Sequence, residues 1–385
     1  MLIWFSFSNL KSFSDKALIS LSASNITEYS SHVVTDGTEN ILPVSVIYGV
    51  NGTGKTTVLE AFRFMTKYVI NSLGFEEGVD ERKTGIVRPV RKPYLSDNES
   101  FFEVCFTVES KTYVYGFEVD DHFVQGEWLH VSEAEDSEPK LVFCRGKDSL
   151  DLRGLTETSR EFLSFISLKE RLIVSSGVML KDPVLKTVWR WFLDISFTDN
   201  ENREIPDGFI EDKELQNHMA EYLSAFDPSI EGFVVWTSKI FPPEIYVKHT
   251  GGRKILLEKE SSGTLKMFSL YSYIRYALKF GSILVIDDLD AGLHPMLVRG
   301  ILNAFLNPDI NRNHAQLIFT AHDPWLISSN MLRKDEIYFT DKGAEDVSVL
   351  TRVSKLEDAE SFGEDYISGK YSTASERKDL EYLFM

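Results

Sequence analysis

The spacing of apolar positions changes character several times along the chain, and each change predicts a different kind of element. Near the start, Leu2 to Phe7 and Ala17 to Ser22 read as strands, and the apolar run Ile41 to Tyr48 reads as a third. Thr57 to Ile70 then shows helical spacing. Four segments follow, Phe101 to Val108, Thr112 to Val119, Phe123 to Val131 and Lys140 to Cys144, in which apolar and polar residues alternate between short polar turns. They predict an antiparallel meander.

From about Glu157 to Phe226 the pattern becomes helical. Phe162, Phe165 and Ile166, then Val184, Val188, Trp189 and Phe192, then Met219, Tyr222 and Leu223 fall at helical intervals. No heptad with apolar a and d positions is sustained, so a long coiled-coil arm is not expected. Three strand-like runs, Phe233 to Trp236, Glu244 to Val247 and Ile255 to Glu258, lead into a region of alternating helix and strand. Thr264 to Phe280 and Pro295 to Phe305 predict helices, and Ser282 to Ile286, Gln316 to Thr320 and Glu336 to Thr340 predict strands. That alternation is the mark of a doubly wound α/β half.

Candidate chemistry gathers at the strand ends. Gly49-Val-Asn51-Gly52-Thr53-Gly54-Lys55-Thr56 sits between the Ile41 to Tyr48 strand and the following helix. Glycines let consecutive backbone N–H groups turn toward one small anion, and the helix aims its positive N-terminal end at the same point. Such a loop cradles nucleotide phosphates, with Lys55 reaching the β/γ-phosphates and Thr56 placing its hydroxyl on Mg²⁺. The loop shares a sheet with the C-terminal half only if the middle of the chain is inserted. One discontinuous nucleotide-binding domain is therefore expected over residues 1–150 and 232–385, with a helical, lid-like insert over 151–231.

The strand Ser282 to Ile286 ends in Asp287-Asp288. Carboxylates at a buried strand end are costly unless they meet a cation or donors. Beside a phosphate loop, Asp287 would orient Mg²⁺ and Asp288 would face the attacking water as base or positioning group. The next strand ends in Ala321-His322-Asp323, which puts His322 where it can donate to a terminal phosphate oxygen. Glu260-Ser261-Ser262-Gly263-Thr264 opens a helix. Ser/Thr and Gly there serve ordinary capping, and they equally leave N–H groups and hydroxyls pointing outward for a phosphate held by another subunit. Composition does not choose between those two readings.

With 385 residues at 43% hydrophobic and 26% charged, the chain can bury a full core. No apolar run approaches the roughly 20 residues that span a bilayer, and Met1-Leu-Ile-Trp-Phe-Ser-Phe reads as a strand, not a signal peptide. Cys105 and Cys144, the only cysteines, lie in apolar strand-like runs and are expected as buried free thiols. These readings lead to an expected cytoplasmic location and no membrane partner. A formal charge of −18 argues against nonspecific coating of nucleic acid. The local cluster Arg82, Lys83, Arg88, Arg91 and Lys92 reads as a solvated loop, with phosphate contact as the minor alternative.

Taken in order, these segments resemble the ABC-type ATPase heads of the SMC/RecF/OLD kind. Gly49 to Thr57 is similar to the Walker A loop, Ser261-Ser262-Gly263 to a degenerate LSGGQ signature, and Ile283 to Asp288 to Walker B. Asp290-Ala-Gly-Leu-His294-Pro295 resembles the D-loop, His322 the switch histidine, and Phe7-Ser-Asn9-Leu-Lys11-Ser-Phe13 the opening of these proteins. The nearest resemblance is to the stand-alone AbiLi/RloA-like ATPases of bacterial phage-defence operons, which share the Leu-His-Pro loop and a tail like Glu364-Asp-Tyr-Ile-Ser-Gly-Lys-Tyr371.

The resemblance implies an α/β fold, an ABC-type P-loop NTPase head with an antiparallel β subdomain and a helical insert. It implies ATP and Mg²⁺ as ligands, contacted by residues Asn51 to Thr57, and a homodimer or higher homo-oligomer. Each ATP would lie between one subunit's Walker A and the other's Ser261 to Thr264. Asp288 departs from the pattern, where glutamate is usual, and a carboxylate withdrawn by over an ångström implies slow turnover. Gln125 is the one candidate for a glutamine loop. Too few residues follow His322 for a nuclease domain, so a nuclease or toxin effector is expected as a separate protein. Three other functions stay open: a non-hydrolysing ATP-bound sensor, a small-molecule kinase, which leaves Ser261 to Thr264 and His322 idle, and a RecF/SMC-like DNA-repair factor, which the acidic balance disfavours.

Overall fold

The computed structural model describes residues 1–37, 39–74, 99–120, 123–133, 138–166, 169–198, 205–206, 208–328, 331–343, 346–356 and 366. The basic cluster from Arg82 to Lys92 and the tail motif apart from Tyr366 lie outside them.

The chain opens with β1 (Leu2–Ser8), β2 (Ala17–Ser20), a short pair β3 (Val34–Asp36) and β4 (Glu39–Ile41), then β5 (Val44–Gly49) and helix α1 (Lys55–Asn71). The expected meander follows as β6 (Ser100–Val108), β7 (Lys111–Val119), β8 (Val124–Ser132), β9 (Lys140–Arg145) and β10 (Leu150–Asp151). Hydrogen bonding joins these into a seven-stranded sheet in the order β10-β9-β8-β7-β6-β1-β2, with every pairing antiparallel.

Next come α2 (Glu157–Phe165), α3 (Ile173–Met179), α4 (Pro183–Leu193), β11 (Ile195–Thr198) and α5 (Lys213–Ser224). The helical expectation for this region needs one correction, because β11 is a strand. It pairs in parallel with a later strand, Ile195 opposite Ile283, and forms one edge of the central sheet. Four residues are too few to show a period among the flanking helices. The helices beside it are not peripheral either: Trp191 of α4 stacks on Phe106 of β6 with ring centroids 4.0 Å apart.

A three-stranded sheet of β12 (Ile230–Trp236), β13 (Glu244–His249) and β14 (Lys254–Leu256) precedes α6 (Ser262–Phe280). The remainder is β15 (Ile283–Ile286), α7 (Pro295–Leu306), β16 (Gln316–Thr320), α8 (Trp325–Ser328), β17 (Ile337–Lys342) and β18 (Ser348–Arg352). The central six-stranded sheet runs β11-β15-β16-β5-β17-β18, parallel throughout except for β18. All residues of β5, β15 and β16 are buried, as a parallel sheet covered on both faces requires.

Alternation along these strands divides the molecule into layers. Ile47, Ile283, Val285, Ile318 and Tyr338 face a core shared with α1 and the meander, while Val44, Val46, Tyr48, Leu284, Ile286, Leu317, Phe319 and Phe339 face a second core with α6 and α7. Helix α1 lies within the first core, where Phe62 touches Phe5 of β1 at 4.8 Å and Phe197 of β11 at 5.8 Å. The two sheets are also tied directly. The buried Gln316 side chain of β16 accepts the Leu2 N–H at 2.6 Å and donates to the Leu2 carbonyl at 2.9 Å. Because β15, β16 and β5 are adjacent and parallel, their C-terminal ends open on one edge, the usual ligand-binding edge of such a sheet.

Candidate functional site

The glycine-rich loop joins the end of β5 to the start of α1. Gly54 caps that helix at φ 110°, and a Cβ there would lie 2.8 Å from Phe13 Cε2. Only glycine fits that backbone. Phe13, from the turn after β1, thus closes the back of the loop. Thr53 is buried, its hydroxyl 2.7 Å from both the Val50 carbonyl and Thr340 Oγ1, so it braces the loop from behind. Asn51, Gly52 and Thr56 are exposed, and Thr57 is buried in α1.

Lys55 is only 6% exposed and donates to the Gly49 carbonyl at 2.8 Å. Burial lowers its pKa, and the negative charges of Asp288, Asp287 and Asp290 oppose that shift. A cation that feels all three carboxylates places the lysine and the acidic turn on one site.

That turn follows β15 directly. Thr320, the last residue of β16, donates its hydroxyl to Asp287 Oδ1 at 2.6 Å and accepts the Asp288 N–H at 2.7 Å. The Asp287 N–H reaches the Thr198 carbonyl at the end of β11 at 3.2 Å. Asp288 adopts φ 50°, a left-handed backbone that a short polar side chain tolerates best. Its Oδ1 lies 3.1 Å from His322 Nε2. Asp290 then accepts the N–H groups of His322 and Asp323 at 2.8 and 2.6 Å, binding the two loops together.

Ser261 caps α6, accepting the Thr264 N–H at 3.1 Å, with its hydroxyl 2.8 Å from Thr264 Oγ1. The capping reading therefore holds, while Ser261 and Ser262 remain exposed. Gly263 sits close to the acidic loop, since a Cβ on it would come 3.3 Å from the Gly292 carbonyl. Among the described residues no hydrogen bond joins this turn to the glycine-rich loop of its own chain. Gln125 is elsewhere: it donates to Asp120 at 2.5 Å beside the β7–β8 turn.

A family profile described as "AAA domain, putative AbiEii toxin, Type IV TA system" matches residues 44–328, which carry the glycine-rich loop, the acidic pair and His322. The chain belongs to this AAA-domain family. None of the curated proteins matches it. Among solved structures, the SMC head domain from Thermotoga maritima is similar at 16% identity and TM-score 0.44, over 91% of this chain and 98% of that one. An Smc head domain from Pyrococcus furiosus bound to the C-terminal domain of ScpA gives 12% and 0.46, over 91% and 95%. One from Pyrococcus yayanosii gives 11% and 0.47, over 95% and 99%. With every score below 0.5, the α/β P-loop ATPase architecture rests on the strand order and the family match.

In this AAA-domain ATPase no cluster of three or more His, Cys, Asp or Glu side chains is arranged to hold a metal among the described residues. Mg²⁺ takes one or two protein oxygens and completes its shell with water and phosphate. Exposed Thr56 and half-buried Asp287 are hard oxygen donors of that type. No helix among the described residues is long and apolar enough to cross a membrane. The sequence assigns no functional role to three contributors: Thr320, Asp290, and Lys266 of α6, whose ammonium donates to the Asp288 carbonyl at 2.7 Å. The signal for Thr320 was its position, a hydroxyl directly after the apolar Leu317-Ile-Phe319 and two residues before His322.

Proposed function

We propose that this P-loop ATPase binds and hydrolyses ATP as a nucleotide-dependent dimeric switch, controlling a separate effector in bacterial phage defence. The observation that carries the reading is the junction at Thr320, which holds Asp287 and Asp288 on the same sheet edge as Lys55. In this reading the glycine-rich loop from Asn51 to Gly54 cradles the phosphates and Lys55 neutralises their charge. Thr56 and Asp287 would hold Mg²⁺, which when bound shields the phosphate oxygens during transfer. Asp288 orients the attacking water and takes up its proton, while His322 donates to the terminal phosphate and senses its presence. Exposed Ser261 and Ser262, at the N-terminus of α6, offer N–H groups and hydroxyls to the phosphate held by a second copy.

Defence is supported by the toxin–antitoxin wording of the family and by the acidic surface, which makes nonspecific DNA coating unfavourable. One observation favours a second reading, a sensor that holds ATP with very little turnover: Asp288 is short, and its carboxylate is already engaged by His322. The test is ATP turnover and molecular mass with and without ATP for the natural chain, Lys55→Ala and Asp288→Asn. Turnover that depends on Asp288, with ATP-induced dimers that need Lys55, supports the switch. ATP binding unaffected by Lys55→Ala would sink the site assignment, and ATP-held dimers without turnover would select the sensor.

A further inference from the structure

Asp288 is held at three points, two from β16 and the loop that follows it and one from α6. Its N–H is bound by Thr320 of β16, its carboxylate meets His322 after that strand, and its carbonyl accepts Lys266 Nζ at 2.7 Å. The third contact differs from the others in origin, because Lys266 belongs to α6, the helix that begins at Ser261-Ser262. Lys266 also donates to the Ala291 carbonyl at 2.8 Å, so one ammonium spans both ends of the turn 288–291. That turn contains the left-handed Asp288 and leads into Gly292, against which Gly263 packs. A left-handed non-glycine residue persists only where its surroundings over-determine it.

We propose that Lys266 is a positioning residue that couples the exposed start of α6 to the hydrolytic carboxylate of Asp288. The inference rests on the ATPase reading above. When a second copy's phosphate engages Ser261 and Ser262, any shift of α6 along its axis moves Lys266 with it, and the ammonium carries that shift to the Asp288 and Ala291 carbonyls. Closure of the two copies is thereby converted into alignment of the carboxylate with water. Helix α6 suits this task. It runs 19 residues from Ser262 to Phe280 and is packed along its length by Met267, Phe268, Leu270, Ile274 and Ala277, so it moves as one rod. Burial disfavours the charged amine at Lys266, and Asp290, Asp288 and Asp287 draw the charge back, as expected for an ammonium built into the turn instead of solvated beside it.

The experiment measures kcat and KM for ATP, and ATP affinity, in the full chain and in Lys266→Met, Lys266→Gln and Lys266→Arg. Lys266→Met is expected to lower kcat by roughly tenfold to a hundredfold, the scale of a misplacement of about 1 Å, with KM and ATP affinity unchanged. Lys266→Arg, which keeps donors on a flexible stem, should recover most of the loss. Natural turnover in Lys266→Met would overturn the proposal, as would a parallel fall in ATP affinity. If Lys266→Met does not fold, Lys266→Gln decides by the same split. Failure of the underlying reading looks different, because the natural chain itself would then show no turnover that Asp288→Asn removes.

Discussion

Thr320 Oγ1 lies 2.6 Å from Asp287 Oδ1 and 2.7 Å from the Asp288 nitrogen. A single hydroxyl donates to one residue of the acidic pair and accepts from the other, which uses both of its capabilities. The pair therefore turns as a unit with the end of β16.

Replacing Thr320 by valine keeps the shape and removes both bonds, leaving a half-buried carboxylate and an N–H without that partner. Stability should fall by about 1–3 kcal/mol, and kcat should fall by roughly tenfold or more through misplacement of Asp288. Thr320→Ser, which retains the hydroxyl, should recover most of the rate. Urea titration and steady-state kinetics read the two effects, and equal rates in Thr320→Val and the natural chain would remove Thr320 from the site.

The backbone at Asp288, φ 50°, supplies a physical reason for the aspartate that departs from the glutamate pattern. Short polar side chains are enriched in this left-handed region, and longer ones lack that compensation. Asp288→Glu is expected to lose about 1 kcal/mol of stability, and Asp288→Asn to bind ATP normally with turnover reduced about a hundredfold. A more stable Asp288→Glu protein would contradict the backbone argument.

Lys266 has its pKa lowered from 10.5 to about 8, because burial outweighs the attraction of Asp290, Asp288 and Asp287. Between those values the unfolded chain keeps a proton that the folded chain sheds, so this group makes stability rise as pH climbs from about 8 toward 10.5. Lys266→Met should flatten that rise when urea midpoints are compared across the same window. An unchanged slope would mean that Lys266 is solvated.

At Gly54 an added methyl meets both a left-handed backbone at φ 110° and the ring of Phe13. Gly54→Ala should distort the loop, lowering ATP affinity by tenfold or more and stability by about 1–3 kcal/mol. The double variant Gly54→Ala with Phe13→Leu should regain part of the stability and little of the affinity. Full recovery of ATP binding in the double variant would show that the ring, not the backbone, requires glycine.

What the sequence made legible follows from range. Gly49 to Thr56, Asp287-Asp288 and His322 each sit just past a mainly apolar strand run, so local pattern placed each at a strand end, and the shared sheet edge followed only once the middle of the chain was read as an insertion. The meander was equally readable, since alternation is a property of each strand. By contrast, β11 is fixed by pairing with β15, almost ninety residues later, and the alternation in Ile195-Ser-Phe-Thr198 is too short to stand out between helices. Lys266 and Thr320 act through atoms that tertiary packing brings together, so spacing gave no warning of Lys266 and marked Thr320 only by its place at a strand end. Ser261 was legible as a helix start, and its capping bond to Thr264 accounts for the residue type without any ligand.

The Gln316 amide gives the molecule a mechanical property that no loop could provide. By clasping the backbone of Leu2 from a central strand, it ties β1, the neighbour of the meander in the seven-stranded sheet, to β16, about 13 Å along the same strand from Thr320. Neither sheet can slip past the other at that point without stranding buried amide groups. The strand that ends at the acidic pair's hydroxyl partner, Thr320, is thereby anchored at its other end to the antiparallel sheet.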